Sequence, residues 1–361
     1  MTAPINVVGP GGRLAFLIRA RRPVVAAGVL IVLGFPAWAA GQTGSSTTSA
    51  KQTSSATAKK PQQTRSALAR ARAARAASVA RAREAAAARQ LREAMTPVTT
   101  RDALGNIVPV VRAAAAIVFD PQTGDVLWQS NSQEQRSIAS LTKLMTAVVF
   151  IADDPDLNQT VAVTRADMKG ASTTYVRAGE VVSYRDLLHL TLIASDNAAA
   201  RVLARSGEGG TAAFIARMNL MATELKLSNT LYTDPSGLDA RNVSSAYDLS
   251  HLIAFATADP TLGPIMRIAE YQARTSTRTV TVRNTNKLLG TGLDVLGGKT
   301  GFISKAGYCL ATMLRVPGGP QVAVVVLGAT NSSVRFWDAR HLVNWVGGRS
   351  RGLVGGDPED K

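Results

Sequence analysis

Residues 298–327, GKTGFISKAGYCLATMLRVPGGPQVAVVVL, decide the fold of this chain. They divide into three strand-like runs, at 298–302, 308–315 and 321–327, separated by short stretches rich in Gly, Pro, Ser and Lys. Short connections of this composition join neighbouring strands that run in opposite directions. We therefore predict three consecutive strands of one antiparallel sheet.

The rest of the domain is predicted to contain helices that lie between two groups of strands. Two more strands are predicted at 113–119 and 126–129, on either side of a turn-rich connection. Helices are predicted at 140–151, 184–204 with Ser183 as its N-cap, 211–225, 246–257 and 334–345. Strands at both ends and helices between them favour a mixed α/β (α+β) fold, a single domain with an antiparallel sheet flanked by helices.

The charge of the chain is concentrated near its N-terminus. The 361 residues carry a net charge of +16, of which the first 95 residues hold +13 and the remaining 266 only +3. The basic character therefore belongs to an N-terminal arm, and the folded part is nearly neutral.

The first 39 residues have the pattern of an export signal. Arginines precede an apolar run at 24–35, and Ala37-Trp-Ala39 has the small-x-small pattern of a signal-peptidase site. We predict a signal peptide at 1–39 and a periplasmic protein. The alternative is an uncleaved inner-membrane anchor over 23–40, although a run of twelve is short for a bilayer.

Four further segments are predicted from composition. Residues 40–65 lack large apolar side chains and are predicted to be a disordered linker. Residues 66–95 contain no Gly or Pro and are predicted to be a basic, Ala/Arg-rich helical arm. The arm is interpreted as a solvated spacer, with binding to an anionic wall or membrane surface as the alternative; because the chain is exported, we expect no nucleic acid partner. The folded domain is placed at 96–350 and a polar tail at 351–361.

Cysteine and histidine are too sparse to indicate a metal site. The only cysteine is Cys309, and His189, His251 and His341 lie far apart with no HExxH spacing. We expect no intramolecular disulfide, no metal and no cofactor.

The first candidate motif is Ser140-Leu-Thr-Lys143. Three residues on a helix are nearly one turn, so the amine can reach the hydroxyl. A serine becomes a good nucleophile when a base removes its proton, and a lysine is a base only when neutral. Burial and a second cation, for which Lys299 is the candidate, would lower its pKa. A capping serine followed by a surface lysine is the alternative, but the apolar run after the motif indicates a buried helix.

Two more motifs follow in chain order, Ser195-Asp-Asn197 and Lys299-Thr-Gly301. Ser195 is predicted to pass a proton between Lys143 and a leaving amine, and Asn197 to hold Lys143 or a substrate carbonyl. Helix capping explains this motif equally well.

In the third motif, Lys299 and Thr300 are predicted to bind a substrate carboxylate, while Gly301 lets a substrate backbone approach the strand. The backbone N–H groups of Ser140 and Phe302 would then form an oxyanion hole. The alternative is a hairpin turn with a solvated lysine.

These three motifs are the set found in class A β-lactamases and penicillin-binding proteins. The wider sequence, from 113 to 345, resembles the low-molecular-weight penicillin-binding D-alanyl-D-alanine carboxypeptidase family, and most of all its D-alanyl-D-alanine endopeptidase branch. The resemblance rests on the segments 137–147, 168–170, 234–238, 242–246, 283–287, 299–302 and 306–309.

The resemblance implies a β-lactamase/DD-peptidase-like fold with 96–350 as the catalytic domain. It implies that Ser140 forms an acyl-enzyme, Lys143 accepts its proton, Ser195 assists proton transfer and Lys299 binds substrate. The implied partners are peptidoglycan peptides, with β-lactam antibiotics as covalent inhibitors.

Four activities stay open at this point. Endopeptidase cleavage of cross-links is favoured over carboxypeptidase trimming of a terminal D-alanine, because only 34 residues follow Leu327 and they end in a polar tail without an apolar anchor. A β-lactamase would need a deacylating carboxylate, and Glu208, Glu224 and Glu270 lack the ExxLN spacing. A wall-tethering protein with an idle peptidase domain is disfavoured, since all three motifs are intact.

Overall fold

The computed structural model describes residues 98–354, Thr96, and seven helical positions between 74 and 85. All of these residues belong to one compact unit, Ala69–Lys361. The predicted signal peptide (1–39) and linker (40–65), most of the basic arm and residues 355–361 lie outside the described residues and stay predictions.

Thirteen strands are assigned in the described part of the chain. They are β1 (Thr99–Arg101), β2 (Ile107–Pro109), β3 (Ala115–Phe119), β4 (Val126–Ser130), β5 (Arg136–Ser137), β6 (Thr160–Ala162), β7 (Val181–Ser183), β8 (Val243–Ser244), β9 (Glu270–Arg274), β10 (Thr279–Arg283), β11 (Asp294–Ile303), β12 (Gly307–Arg315) and β13 (Gln321–Ala329).

A 3₁₀ turn (Ala139–Leu141) and eight α-helices complete the described elements. The helices are α1 (Thr142–Ala152), α2 (Arg165–Met168), α3 (Tyr184–Ile193), α4 (Asn197–Ser206), α5 (Gly210–Glu224), α6 (Ala246–Ala258), α7 (Leu262–Met266) and α8 (Ser332–Val354). Helix α8 continues into residues that we had placed in the polar tail.

Five strands form one antiparallel sheet in the order β11-β12-β13-β3-β4. The predicted antiparallel sheet is confirmed, with its last three strands consecutive and its first two paired beside β13. The first and last parts of the domain thus meet in one sheet, as the order of the elements indicated.

The central strand β13 is covered on both faces. Ala323, Val325 and Leu327 belong to the hydrophobic cluster on one face of the sheet. The alternate residues Val322, Val324 and Val326 belong to the cluster on the other face. This double covering explains why the strand has a continuous apolar run instead of an alternating one. Each buried valine or leucine contributes roughly 1.5–3 kcal/mol.

The two sheet faces are covered by different helices. Helix α8 packs on β12 and β13 on one side. On the other side α6 packs on the sheet, and α1 packs against α3, α4, α5 and α6. Every residue of α1 from Thr142 to Phe150 is buried, which confirms the predicted buried helix and places its first turn inside the domain. No helix among the described residues is both long and apolar enough to span a bilayer.

The predicted helix at 184–204 is wrong as one element, because the structure divides it into α3 and α4. Ser195 between them has a left-handed φ of +60°. The side chain of Asp196 then caps α4 by accepting a hydrogen bond from Ala199 N at 2.9 Å. A capping aspartate starts a new helix, so the chain turns at this motif. The predicted cap of α3 is confirmed, since Ser183 accepts from Asp186 N.

Candidate active site

Ser140 lies in the 3₁₀ turn immediately before α1, where two glycines allow a close approach of the backbone. A Cβ at Gly301 on β11 would lie 2.7 Å from the Ile138 carbonyl oxygen and 3.1 Å from Ser140 N. A Cβ at Gly237, whose φ is +81°, would overlap the Ala139 carbonyl group. The peptide that carries Ser140 is therefore held between a strand and a loop that must both be glycine here.

Lys143 is fully buried and lies beside Ser140, as the motif predicted. Its Nζ donates to Ser140 Oγ at 3.1 Å, to Asn197 Oδ1 at 2.6 Å and to the Ser236 carbonyl oxygen at 2.5 Å. The last two acceptors hold the amine in place, and the first is the hydroxyl that it would deprotonate.

Burial lowers the pKa of Lys143 from 10.5 to about 7. The carboxylates of Asp196 and Asp234 oppose this shift, and Arg201 adds to it. Lys299, which we predict to be the second cation, is not among the charges that lower the Lys143 pKa; that cation is Arg201. Burial lowers the pKa of Lys299 well below its usual value of 10.5, and the charge of Lys143 lowers it further. A substantial fraction of Lys143 is thus neutral at neutral pH, as a general base requires.

The loop that supplies the Ser236 carbonyl is organised by Asp234. Its Oδ1 accepts hydrogen bonds from the N–H of Ser236 and Gly237, and its Oδ2 accepts from Asp239 N and from Asn242 Nδ2. Burial raises the pKa of Asp234, but these hydrogen bonds outweigh it and the pKa is lowered overall. Sequence comparison with the family singled out 234–238 and 242–246 without giving them a role, and the structure supplies one.

Ser195 and Lys299 form a second hydroxyl–amine pair. Lys299 Nζ donates to Ser195 Oγ at 2.8 Å and to the Thr300 carbonyl oxygen at 2.8 Å. The direct hydrogen bond of Ser195 is thus to Lys299, whereas our prediction paired Ser195 with Lys143. Ser195 has a left-handed φ between α3 and α4, and it lines the cleft.

Thr300, Gly301 and Phe302 of β11 form the wall of the cleft opposite α4. The Thr300 hydroxyl donates to Thr285 Oγ1 at 2.7 Å. Phe302 is 49% exposed and stacks on Tyr308 of the neighbouring strand, with ring centroids 4.2 Å apart. Ser140 and Phe302, whose N–H groups we predict to form the oxyanion hole, both line this cleft.

We expect Gly301→Ala to slow acylation of Ser140 by roughly 10–100-fold, because the added methyl group pushes the Ser140 peptide away from β11. The rate of labelling by fluorescent penicillin measures this directly. Gly348→Ala is the matched control, since its Cβ meets no atom within 4 Å on α8 and alanine favours a helix. Equal labelling rates in the two variants would contradict the close approach.

Arg335 is a cleft residue that the sequence did not predict. It lies on the first turn of α8, is 7% exposed and donates from Nη1 to the carbonyl oxygens of Gly301 (3.0 Å) and Cys309 (3.2 Å). No carboxylate in the described part of the chain pairs with it, and its Nε is buried without a partner. Its position between Val334 and Phe336, on the apolar side of a predicted helix, was the only signal.

The cleft has a volume of about 470 Å³. It is lined by Ser140, Ser172, Thr173, Ala194, Ser195, Asn197, Leu238, Thr285, Thr300, Gly301, Phe302, Ile303, Ser304 and Arg335. Lys143 and Lys299 lie behind this lining, each fully buried, with their amines on Ser140 and Ser195. A carboxylate that entered the cleft would therefore meet Thr300 and Arg335.

All six side chains predicted for the site come together, from the 3₁₀ turn, α1, the turn before α4, α4 and β11. The three histidines lie elsewhere, each with Nδ1 on the carbonyl oxygen four residues earlier in its own helix. Within residues 98–354 no group of three or more His, Cys, Asp or Glu residues is arranged to hold a metal ion.

Comparison with known proteins agrees with this geometry. The profile of the family Peptidase_S11, D-alanyl-D-alanine carboxypeptidase, matches residues 102–331. A D-alanyl-D-alanine endopeptidase of Pseudomonas aeruginosa is 36% identical over 240 residues, which are 65% of this chain and 77% of that protein. A D-alanyl-D-alanine carboxypeptidase of Streptomyces sp. K15 is 31% identical over 256 residues, 66% of this chain and 88% of that protein.

Solved structures show the same fold. The crystal structure of the Streptomyces K15 DD-transpeptidase superposes with a TM-score of 0.62 at 30% identity, covering 67% of this chain and 98% of that one. The family match spans more than half of the chain, from the hairpin β1–β2 to the start of α8. The chain therefore belongs to the D-alanyl-D-alanine carboxypeptidase family of serine peptidases, peptidase S11.

Proposed function

We propose that this protein is an exported D-alanyl-D-alanine endopeptidase that cleaves the cross-links of peptidoglycan through a Ser140 acyl-enzyme. The observation that supports it most is the hydrogen bond of 3.1 Å between Ser140 Oγ and the buried amine of Lys143, whose pKa is about 7. A hydroxyl and a neutral amine in contact, at the edge of a cleft, are a nucleophile and its base.

Acylation uses these groups in turn. Ser140 Oγ attacks the carbonyl carbon of the D-alanine on the acyl side, and its proton moves to Lys143 Nζ. The negative charge that develops on the carbonyl oxygen is held by the N–H groups of Ser140 and Phe302. The bond to the leaving amine then breaks. Lys143 Nζ gives up the proton that it took from Ser140, and the hydroxyl of Ser195, which is hydrogen-bonded to Lys299, passes a proton to the leaving nitrogen. Lys143 is then neutral again.

Deacylation reverses these roles with water in place of the amine. Lys143 accepts a proton from the water, the water oxygen attacks the ester carbon, and Ser140 leaves with a proton returned from Lys143. The product is a peptide that ends in a free D-alanine carboxylate. Thr300 and Arg335, which line the cleft, are placed to bind a carboxylate of the substrate, and Asn197 holds Lys143 throughout.

Endopeptidase and carboxypeptidase action share this acyl transfer and differ only in the leaving amine. The endopeptidase of P. aeruginosa is among the more similar relatives, and carboxypeptidases of the same family also match at 29–36% identity. We favour the endopeptidase on this similarity and keep carboxypeptidase trimming of terminal D-alanine as the alternative.

Chromatography of digested, cross-linked muropeptides tests the choice. We expect incubation with the protein to convert cross-linked dimers into monomers and to leave pentapeptide monomers intact. A Ser140→Ala sample is the control for contaminating hydrolases. Loss of pentapeptides with dimers unchanged would establish the carboxypeptidase instead.

Two other functions gain less support. A β-lactamase needs a deacylating carboxylate in its cleft. The three candidates are exposed and are not part of the cleft lining: Glu208, Glu224 and Glu270. Rapid turnover of nitrocefin would support a β-lactamase.

A wall-tethering protein with an idle peptidase domain is disfavoured, because the predicted site residues come together in the structure.

The basic arm and the export signal are tested separately. Deletion of residues 66–95 should leave penicillin labelling unchanged, and any loss of wall or membrane binding would make the arm a tether for an active enzyme. Recovery of the protein from the periplasm with its N-terminus at Ala40 would show cleavage at the predicted site, while a membrane-bound form would show an uncleaved anchor.

A further inference from the structure

A second cleft, which we call the α8 cleft, is lined by Arg112, Lys287, Trp337 and Arg340 together with the cap of α8. Its volume is about 430 Å³. Three of these four side chains are cationic, although residues 96–361 as a whole carry a net charge of only +3. The α8 cleft therefore concentrates positive charge on a nearly neutral domain.

Within the described residues, none of these three cations forms an ion pair with a carboxylate. The nearby acid Asp338 is fully buried and accepts backbone hydrogen bonds from the N–H groups of Arg112 and Ala113, so it offsets only part of the charge of Arg112. Unpaired cations around a concave surface attract an anion.

The site is also preformed. The guanidinium of Arg112 lies over the Trp337 ring, with Cζ 3.9 Å from the ring centroid. Asn331 caps the 23-residue helix α8 by accepting from the N–H of Ser333 and Val334, and it lies in the same lining. An ordered arginine at the positive end of a long helix loses little freedom when it binds a carboxylate.

Two segments of the chain contribute to both clefts. Thr285 lines the catalytic cleft, and Lys287, two residues later, lines the α8 cleft. Arg335 lines the catalytic cleft, and Trp337 and Arg340 on the same helix line the α8 cleft. The two clefts thus lie along the same two segments of the chain, and a substrate longer than one stem peptide would extend from the catalytic cleft toward the α8 cleft.

We propose that the α8 cleft is a binding subsite for a free carboxylate of the cross-linked peptide, on the stem that extends away from the reacting carbonyl. This proposal rests on the proposed endopeptidase function. A cross-linked dimer has carboxylates on both stems, and Arg112, Lys287 and Arg340 supply charge-assisted hydrogen bonds to one of them. A small substrate or a penicillin fills the catalytic cleft alone and does not reach this subsite.

Substitution of Lys287 tests the subsite, because this exposed side chain lies outside the catalytic machinery. We expect Lys287→Gln to raise KM for cross-linked dimers about threefold and Lys287→Glu about tenfold or more, with kcat little changed. Acylation by fluorescent penicillin should stay at the wild-type rate in both variants. Lys226→Gln, an exposed lysine that lines neither cleft, is the control and should change nothing.

An unchanged KM for dimers in Lys287→Glu, or an equal loss of penicillin acylation, would overturn the subsite. Loss of binding to phosphatidylglycerol vesicles with an unchanged KM would also overturn it and assign the cleft to a membrane surface. If the wild-type protein cleaves no dimers, the endopeptidase function fails on its own. The dissociation constant of dimers for Ser140→Ala, with and without Lys287→Glu, then still decides the subsite by calorimetry.

Discussion

Ser140→Ala is expected to abolish covalent labelling by fluorescent penicillin and to reduce peptide hydrolysis by at least about 10⁴-fold. The reason is chemical, because no acyl-enzyme can form without the hydroxyl that Lys143 contacts at 3.1 Å. The substitution removes one oxygen atom from a partly exposed position and leaves the backbone of the 3₁₀ turn in place. The free energy of unfolding should therefore change by less than about 1 kcal/mol.

Two measurements make this result decisive. Mass spectrometry of the wild-type protein after exposure to penicillin should locate one adduct on the peptide that contains Ser140. Ser172→Ala is a matched control, since Ser172 lines the same cleft and is expected to label normally. Labelling that survives Ser140→Ala, or a second adduct on another cleft serine, would refute the assigned nucleophile.

The sequence alone predicts those contacts of the site in which residue type and separation along the chain indicate the same arrangement. Ser140 and Lys143 meet because three residues make nearly one turn at the start of a helix, and the apolar run that follows indicates burial of that helix. The strands 298–302, 308–315 and 321–327 were predictable because their connections are short, which leaves an antiparallel arrangement as the simplest one.

Contacts between distant segments could not be read from the sequence. The pairing of Lys299 with Ser195 joins residues 104 positions apart, and spacing has no bearing on such a contact. The division of the predicted helix 184–204 had a local signal in Ser195-Asp-Asn197, but the same residues are tolerated inside helices. Arg335 was missed because its neighbours Val334 and Phe336 indicate packing against the sheet, and only the structure shows a cleft there.

The role of Asp234 shows how structure adds to a recognised motif. Its carboxylate fixes the loop 234–239, and that loop presents the Ser236 carbonyl to Lys143 and Gly237 to the Ser140 peptide. One acidic residue outside the cleft lining thereby positions both the nucleophile and its base. Without the structure, this segment would be only a family signature.

The acylation rate is expected to depend on pH through Lys143. The neutral amine is the active form, and burial lowers the Lys143 pKa to about 7, so the rate should rise about tenfold per pH unit below 7 and level off above it. An unshifted lysine would instead give a rise that continues to about pH 10. Penicillin acylation rates between pH 5 and 9 give the pH at which the rate is half of its maximum. Ser195→Ala should lower the maximum rate and leave that midpoint pH unchanged.

Substitution of Lys143 gives the second half of this test. Lys143→Arg keeps a cation but cannot supply a neutral base, because the guanidinium stays protonated. We expect acylation to fall by about 10³-fold or more and to lose its rise near pH 7. Lys143→Ala should lower the acylation rate as much. It also leaves Asn197 Oδ1 and the Ser236 carbonyl oxygen without the hydrogen-bond donor that they share in the wild-type protein. A Lys143→Arg protein that labels at the wild-type rate would show that another group takes the Ser140 proton. Lys299 is then the candidate, because it is the other buried amine among the predicted site residues and reaches the cleft through Ser195.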